Sequence, residues 1–92
     1  MEVLLDGRLM VSRDTVHDQL AEKLSFPSYY GRNLDALYDV LSTYPEDIKV
    51  TLVNGDIMCE ALGKYAAAMI GTFLGASREN QKVEFFISNE NF

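Results

Sequence analysis

The sequence predicts a small α/β domain with three parallel strands and about four helices, and three observations carry that expectation. Residues 3–5, 48–53 and 83–88 are short runs rich in apolar and β-branched side chains, and they read as strands. The two stretches between them repeat their apolar residues at helical spacing. Each crossover is long enough that consecutive strands run parallel, joined by right-handed connections. Ninety-two residues suit one domain, and no repeat, low-complexity segment or linker interrupts them.

Val3-Leu4-Leu5 is the first strand, and Asp6-Gly7 marks a turn. That dipeptide suits a hairpin with Leu9-Met10-Val11 or one strand followed by a loop. Residues 14–25 form the first helix, capped by Asp14 or Ser12. Val16, Leu20 and Leu24, with Ala21 beside them, make its buried stripe, and Asp18 and Glu22 mark its wet side. Phe26-Pro27 stops the helix, with Ser25 and Phe26 expected in extended geometry. His17, the only histidine, adjoins the stripe without a carboxylate or cysteine at catalytic or metal-ligand spacing, so it reads as structural or surface. Tyr29-Tyr30-Gly31-Arg32 is a turn in which Gly31 is expected to be left-handed.

Asn33 caps the next helix, residues 34–42, which Tyr44-Pro45 ends. The alternating, β-branched run IKVTLV (48–53) is the second strand. Asn54-Gly55-Asp56 turns the chain, and a short helical segment over 57–63 ends at Gly63. A longer helix, 64–78, buries rows formed by Tyr65, Met69 and Phe73 and by Leu62, Ala66 and Ile70. VEFFIS (83–88) is the third strand, and 89–92 reads as a frayed tail.

Composition excludes several classes. A hydrophobic content of 48% supports a packed core rather than disorder. No run approaches the roughly 18 apolar residues of a membrane span. Glu2, Asp6 and Arg8 break up the N-terminus, so no secretory signal is expected. A lone cysteine, Cys59, allows a reducing compartment, and the expected location is the cytoplasm. A net charge of −6 argues against direct nucleic-acid binding and favours a basic partner.

Most catalytic chemistry has no residues to support it. Gly71 and Gly75 lie inside an amphipathic helix and form no phosphate loop. One histidine on one helix makes neither a zinc cluster nor a nucleophile–base set, and no cofactor is expected. Cys59, between Met58 and Glu60, reads as a half-buried structural cysteine.

Residues 29–44 stand apart, with four of the five tyrosines. Through residue 47 the stretch holds Asp35, Asp39, Glu46 and Asp47 against Arg32, a local net of −3. At about 100° per residue, Leu34, Leu37, Val40 and Leu41 share one arc of the helix. Asp35, Tyr38, Asp39 and Ser42 share the other. As an i,i+4 like-charge pair the two aspartates cost a few tenths of a kcal/mol, which suggests an acidic surface kept for another reason. The pair could contribute two ligands to a metal, although two are insufficient alone. It could act as general acid and base, although a convex helix face offers no pocket to tune either group. It could meet a cationic protein surface with an aromatic beside two acids, or it is simply a solvated acidic face.

PSYYGRNLDALYDVL (27–41) closely resembles the central motif of the barstar family, bacterial intracellular inhibitors of an extracellular ribonuclease. The segment VHDQLAEKLSFP looks like the family's first helix and VEFFIS like its last strand, so the likeness spans essentially the whole chain. The resemblance implies a two-layer fold, a three-stranded parallel sheet with helices packed against it, and a loop rather than a hairpin after Asp6. It also implies a non-catalytic protein that blocks a basic, secreted ribonuclease. Asp35 and Asp39 would stand in for substrate phosphates, and Tyr29 and Asn33 would reach the partner from the loop and helix start. Tyr38, Thr43, Tyr44 and Glu79 fall at further family contact positions. The departures are specific. Tyr38 and Tyr44 replace tryptophans, Thr43 replaces a glycine, Gly75 replaces one of two acids late in the long helix, and Arg32 replaces an acid. The alternative reading is an immunity protein against a different toxin, or a module with a regulatory protein partner.

Overall fold

The computed structural model describes residues 1–88, so the frayed tail expected at 89–92 lies outside the described residues. Strands β1 (Glu2–Asp6), β2 (Ile48–Val53) and β3 (Val83–Ile87) form one parallel sheet in that spatial order. Helices α1 (Arg13–Lys23), α2 (Leu34–Ser42), α3 (Gly55–Leu62) and α4 (Lys64–Glu79) fill the two crossovers. The α/β class, the parallel three-stranded sheet and the helix number are as the sequence predicts.

Register aligns Val3, Val50 and Phe85 in one row and Leu5, Leu52 and Ile87 in the next. Side chains alternate across a strand, so Val3, Leu5, Ile48, Val50, Leu52 and Val83 share one face, and all six are buried. Glu2, Leu4, Lys49, Glu84 and Phe86 lie on the opposite face and are exposed. The buried face meets Val16, Leu20 and Leu24 from the α1 segment, Leu37 and Leu41 of α2, and Met69 and Phe73 of α4. Phe73 stacks on Phe85 of β3 with ring centroids 4.5 Å apart.

β1 pairs with β2, and one 3-10 turn (Gly7–Leu9) follows it, so the chain takes the strand-then-loop path. Asp6 locks that turn. Its carboxylate accepts the Arg8 backbone N–H at 3.0 Å, pairs with the Arg8 guanidinium at 2.7 Å, and accepts from Asn54 Nδ2 at 3.0 Å. Arg8 holds the Asp6 carboxyl well below the usual range, at about 2. Gly7 is required by space, since a Cβ there would run into the Asn54 carbonyl oxygen.

Several local expectations are corrected. Helix α1 runs over Arg13–Lys23 rather than 14–25, and of the two caps expected Ser12 is the one used, its hydroxyl forming a reciprocal capping box with Thr15. Ser25 is left-handed (φ 54) rather than extended, because the chain turns back under α1 and the Phe26 N–H bonds to the Ala21 carbonyl at 3.0 Å. Only the residue directly before a proline feels its ring. Asn54 is also left-handed (φ 52), and α3 begins at Gly55 where a turn was expected. Cys59 is exposed, not half-buried, because the buried position of α3 is Met58. No helix among the described residues is long and apolar enough to cross a membrane.

Candidate partner-binding surface

The loop between α1 and α2 is built from the core outward. Tyr30 is buried and tilts against Phe26 with ring centroids 4.8 Å apart. Its hydroxyl lies 2.7 Å from His17 Nδ1, while His17 Nε2 lies 2.7 Å from the Tyr65 hydroxyl. A neutral imidazole has one donor and one acceptor nitrogen, and hydroxyls can complement either. Burial first, and Arg32 second, push the His17 pKa down and favour that neutral ring. Burial likewise pushes the Tyr30 hydroxyl above its ordinary value. His17 is therefore structural, at 2% exposure, and it ties α1 and α4 to the loop. The neighbouring ring points the other way: Tyr29 is 86% exposed.

Gly31 is not left-handed. Arg32 takes that conformation instead (φ 56), which costs a non-glycine residue roughly 1–3 kcal/mol. Its guanidinium offsets the strain by donating to Asp18 Oδ1 at 2.8 Å and to the Asp14 carbonyl at 3.1 Å. At Gly31 a Cβ would be tight rather than excluded, 3.1 Å from the Ala36 methyl. Asn33 then caps α2 as predicted, its Oδ1 accepting the Ala36 N–H at 2.7 Å.

The two arcs of α2 separate as the periodicity requires. Leu37 and Leu41 are fully buried, and Leu34 and Val40 pack against the core. Asp35, Tyr38 and Asp39 are exposed, and Ser42 is half-buried. Neither the Asp35 nor the Asp39 carboxylate has a hydrogen bond or ion pair among the described residues. The backbone carbonyl of Asp39 accepts from the Ser42 and Thr43 hydroxyls at 3.1 and 2.9 Å, which closes the end of the helix.

A groove of about 660 Å³ runs beside this helix, where a convex face without a pocket was expected. It forms because Tyr44 folds back, its hydroxyl donating to the Leu24 carbonyl at 2.8 Å, so that the chain after α2 faces the loop after α1. Burial, and secondarily Glu46, push the Tyr44 hydroxyl pKa up. Tyr29, Asp39, Thr43 and Tyr44 all line the groove, with Pro27 and Glu46, which the sequence reading did not place in a site. Asn33 and Asp35 line a second cavity, of about 430 Å³, with Arg13, Arg32 and Tyr65. Tyr38 lies against α4, where a Cβ on Gly75 would sit 3.6 Å from its ring. Glu79 is exposed at the end of α4. The next residue, Asn80, ties that end to α2 by donating to the Leu41 and Tyr44 carbonyls at 3.0 and 3.1 Å. The eight predicted residues thus fall on α2, its flanking loops and the adjoining end of α4: four line the first groove, two line the second cavity, and Tyr38 and Glu79 line neither. No group of three or more metal-ligating side chains occurs among the described residues. The arrangement is suited to receive cations between unpaired carboxylates and an exposed ring.

Residues 1–90 match the family described as Barstar (barnase inhibitor). A relative from Bacillus subtilis (strain 168), named "Putative ribonuclease inhibitor YrdF", is 41% identical over 88 residues, covering 94% of each chain.

Proposed function

This chain belongs to the barstar family, and on that premise we propose that it is a non-catalytic inhibitor that binds a basic, secreted ribonuclease and blocks its active site from within the producing cell. Helix α2 and the loop before it enter the phosphate-binding cleft, where Asp35 and Asp39 take the places of RNA phosphates. The observation that carries this reading is the pair of exposed carboxylates one helical turn apart, both without an internal partner among the described residues.

The other residues have distinct parts. Asp39, which lines the 660 Å³ groove, is the anchor for a cationic side chain that enters there. Tyr29, Thr43 and Tyr44 line the same groove, with the Tyr29 ring exposed. Asn33 fixes the start of α2 and meets the partner beside Asp35. Tyr38 and Glu79 extend the contact towards α4. The net charge of −6 favours encounter with a basic enzyme, an effect that salt weakens. An interface of ordinary size, on the order of 800 Å² per partner, accommodates α2, its flanking loops and the end of α4.

The test is capture on the immobilised chain from the spent medium of the native organism, followed by assay of each purified captured protein for RNA hydrolysis. The expected result is a ribonuclease whose activity is abolished at one equivalent of inhibitor. Capture of no ribonuclease, or of one that stays active when saturated, contradicts the proposal.

A further inference from the structure

We infer that Arg13 and Arg32 form a receiving corner for a carboxylate side chain of the ribonuclease, next to the acids that receive its cations. The inference rests on the proposed inhibitory function and adds a partner feature of opposite charge. Both arginines line the 430 Å³ cavity that Asp35 also lines. Arg13 stacks over the Tyr65 ring, 4.4 Å from its centroid, and has no ion pair or hydrogen bond among the described residues. Tyr65 is in turn held by buried His17, at 2.7 Å. The guanidinium therefore rests on a ring oriented from the core while its edge donors stay free. Arg32 is fixed through one nitrogen only, by Asp18 and the Asp14 carbonyl, so its other nitrogens have no partner.

Two positioned guanidiniums with unused donors match a carboxylate, which they can bind through paired N–H groups. A free anion is a poor occupant, because Asp14 and Asp35 line the same cavity and balance the two arginines. A carboxylate delivered by a docked surface differs, since its neighbouring cations engage Asp35 and Asp39 at the same time. The corner thus selects ribonucleases that carry an acid beside the basic cleft.

The test turns on the sign of an effect. Removing a cation makes the inhibitor more acidic, which by steering alone favours a basic partner. The inference predicts weaker binding. The purified ribonuclease captured as described above is titrated calorimetrically at fixed ionic strength with Arg13→Met, Arg13→Lys, Arg32→Gln, Asp39→Ala and, as a charge-matched control on the open sheet face, Lys49→Gln. Arg13→Met and Arg32→Gln should each weaken binding about tenfold or more, with Arg13→Lys between Met and the native residue. Lys49→Gln should bind as well as the native chain or slightly better. If Arg32→Gln does not fold, the two Arg13 variants decide. Arg13 variants that behave like Lys49→Gln, while Asp39→Ala still weakens binding, overturn the inference and leave the inhibitory reading standing. If Asp39→Ala is also without effect, phosphate mimicry fails and the inference fails with it.

Discussion

Asp6, at the end of β1, and Asp39, midway along α2, carry the same carboxylate under opposite conditions. Asp6 bonds to Arg8 and Asn54 and has its pKa held at about 2. Asp39 is exposed and has no side-chain partner among the described residues. Tyr30 and Tyr29 repeat the contrast one residue apart, the first buried against His17 and Phe26, the second 86% exposed. An acid or aromatic with internal partners supports the fold. The same group held rigidly without partners is available to another molecule. Substitutions at the inner member of each pair should lower stability, and those at the outer member should lower affinity alone.

The largest stability effect is expected at Tyr30. Tyr30→Ala removes a buried ring and should cost about 3–5 kcal/mol in denaturant unfolding, whereas Tyr29→Ala should change stability by less than about 0.5 kcal/mol. Equal losses would erase the contrast. Asp6→Ala strands the Asn54 side-chain donor, and Asn54 is 2% exposed. It should cost about 1–3 kcal/mol of stability and leave ribonuclease affinity unchanged. A loss of affinity in a fully folded Asp6 variant would break the division.

A pH effect sharpens the comparison from the inner side. The folded His17 pKa lies below the unfolded value of 6.5, through burial and Arg32, with Asp14 and Asp18 opposing. Below pH 6.5 the unfolded chain binds a proton that the native chain does not, so stability falls with acid until the folded pKa is passed. The slope from this group is at most about 1.4 kcal/mol per pH unit. Unfolding free energies from pH 7.5 to 5 should show the fall, and His17→Gln should flatten it. A native profile that is level or rises towards acid contradicts the buried network. Among the inner positions the smallest loss is at the start of α1, where Ser12→Ala removes the capping box and should cost about 1 kcal/mol without touching affinity.

Much of this division is readable from sequence alone. Period-2 and period-3.6 patterns specify strands and helices because burial enforces them locally, and the α2 wheel sorted Leu37 and Leu41 from Asp35 and Asp39 correctly. Asn33 was legible as a cap because the motif is only four residues long. The unread features depend on distant partners. Arg32 replaces Gly31 as the left-handed residue because Asp14 and Asp18, 14 to 18 positions earlier, hold its guanidinium. The groove beside Asp39 exists because Tyr44 reaches Leu24, 20 residues away. Arg13 lines the same cavity as Asp35, 22 positions later, with its guanidinium over Tyr65 of α4. Such contacts leave no periodic trace, though Tyr44-Pro45 next to Glu46 was a signal that the chain turns back there.

The most direct test of the phosphate-mimic account is the dissociation constant of Asp39→Ala against the captured ribonuclease, measured beside its unfolding free energy. The account predicts that affinity falls by about 3–5 kcal/mol, because a partner cation is left buried and unpaired, while stability stays within about 0.5 kcal/mol of the native chain. An unchanged dissociation constant would contradict it.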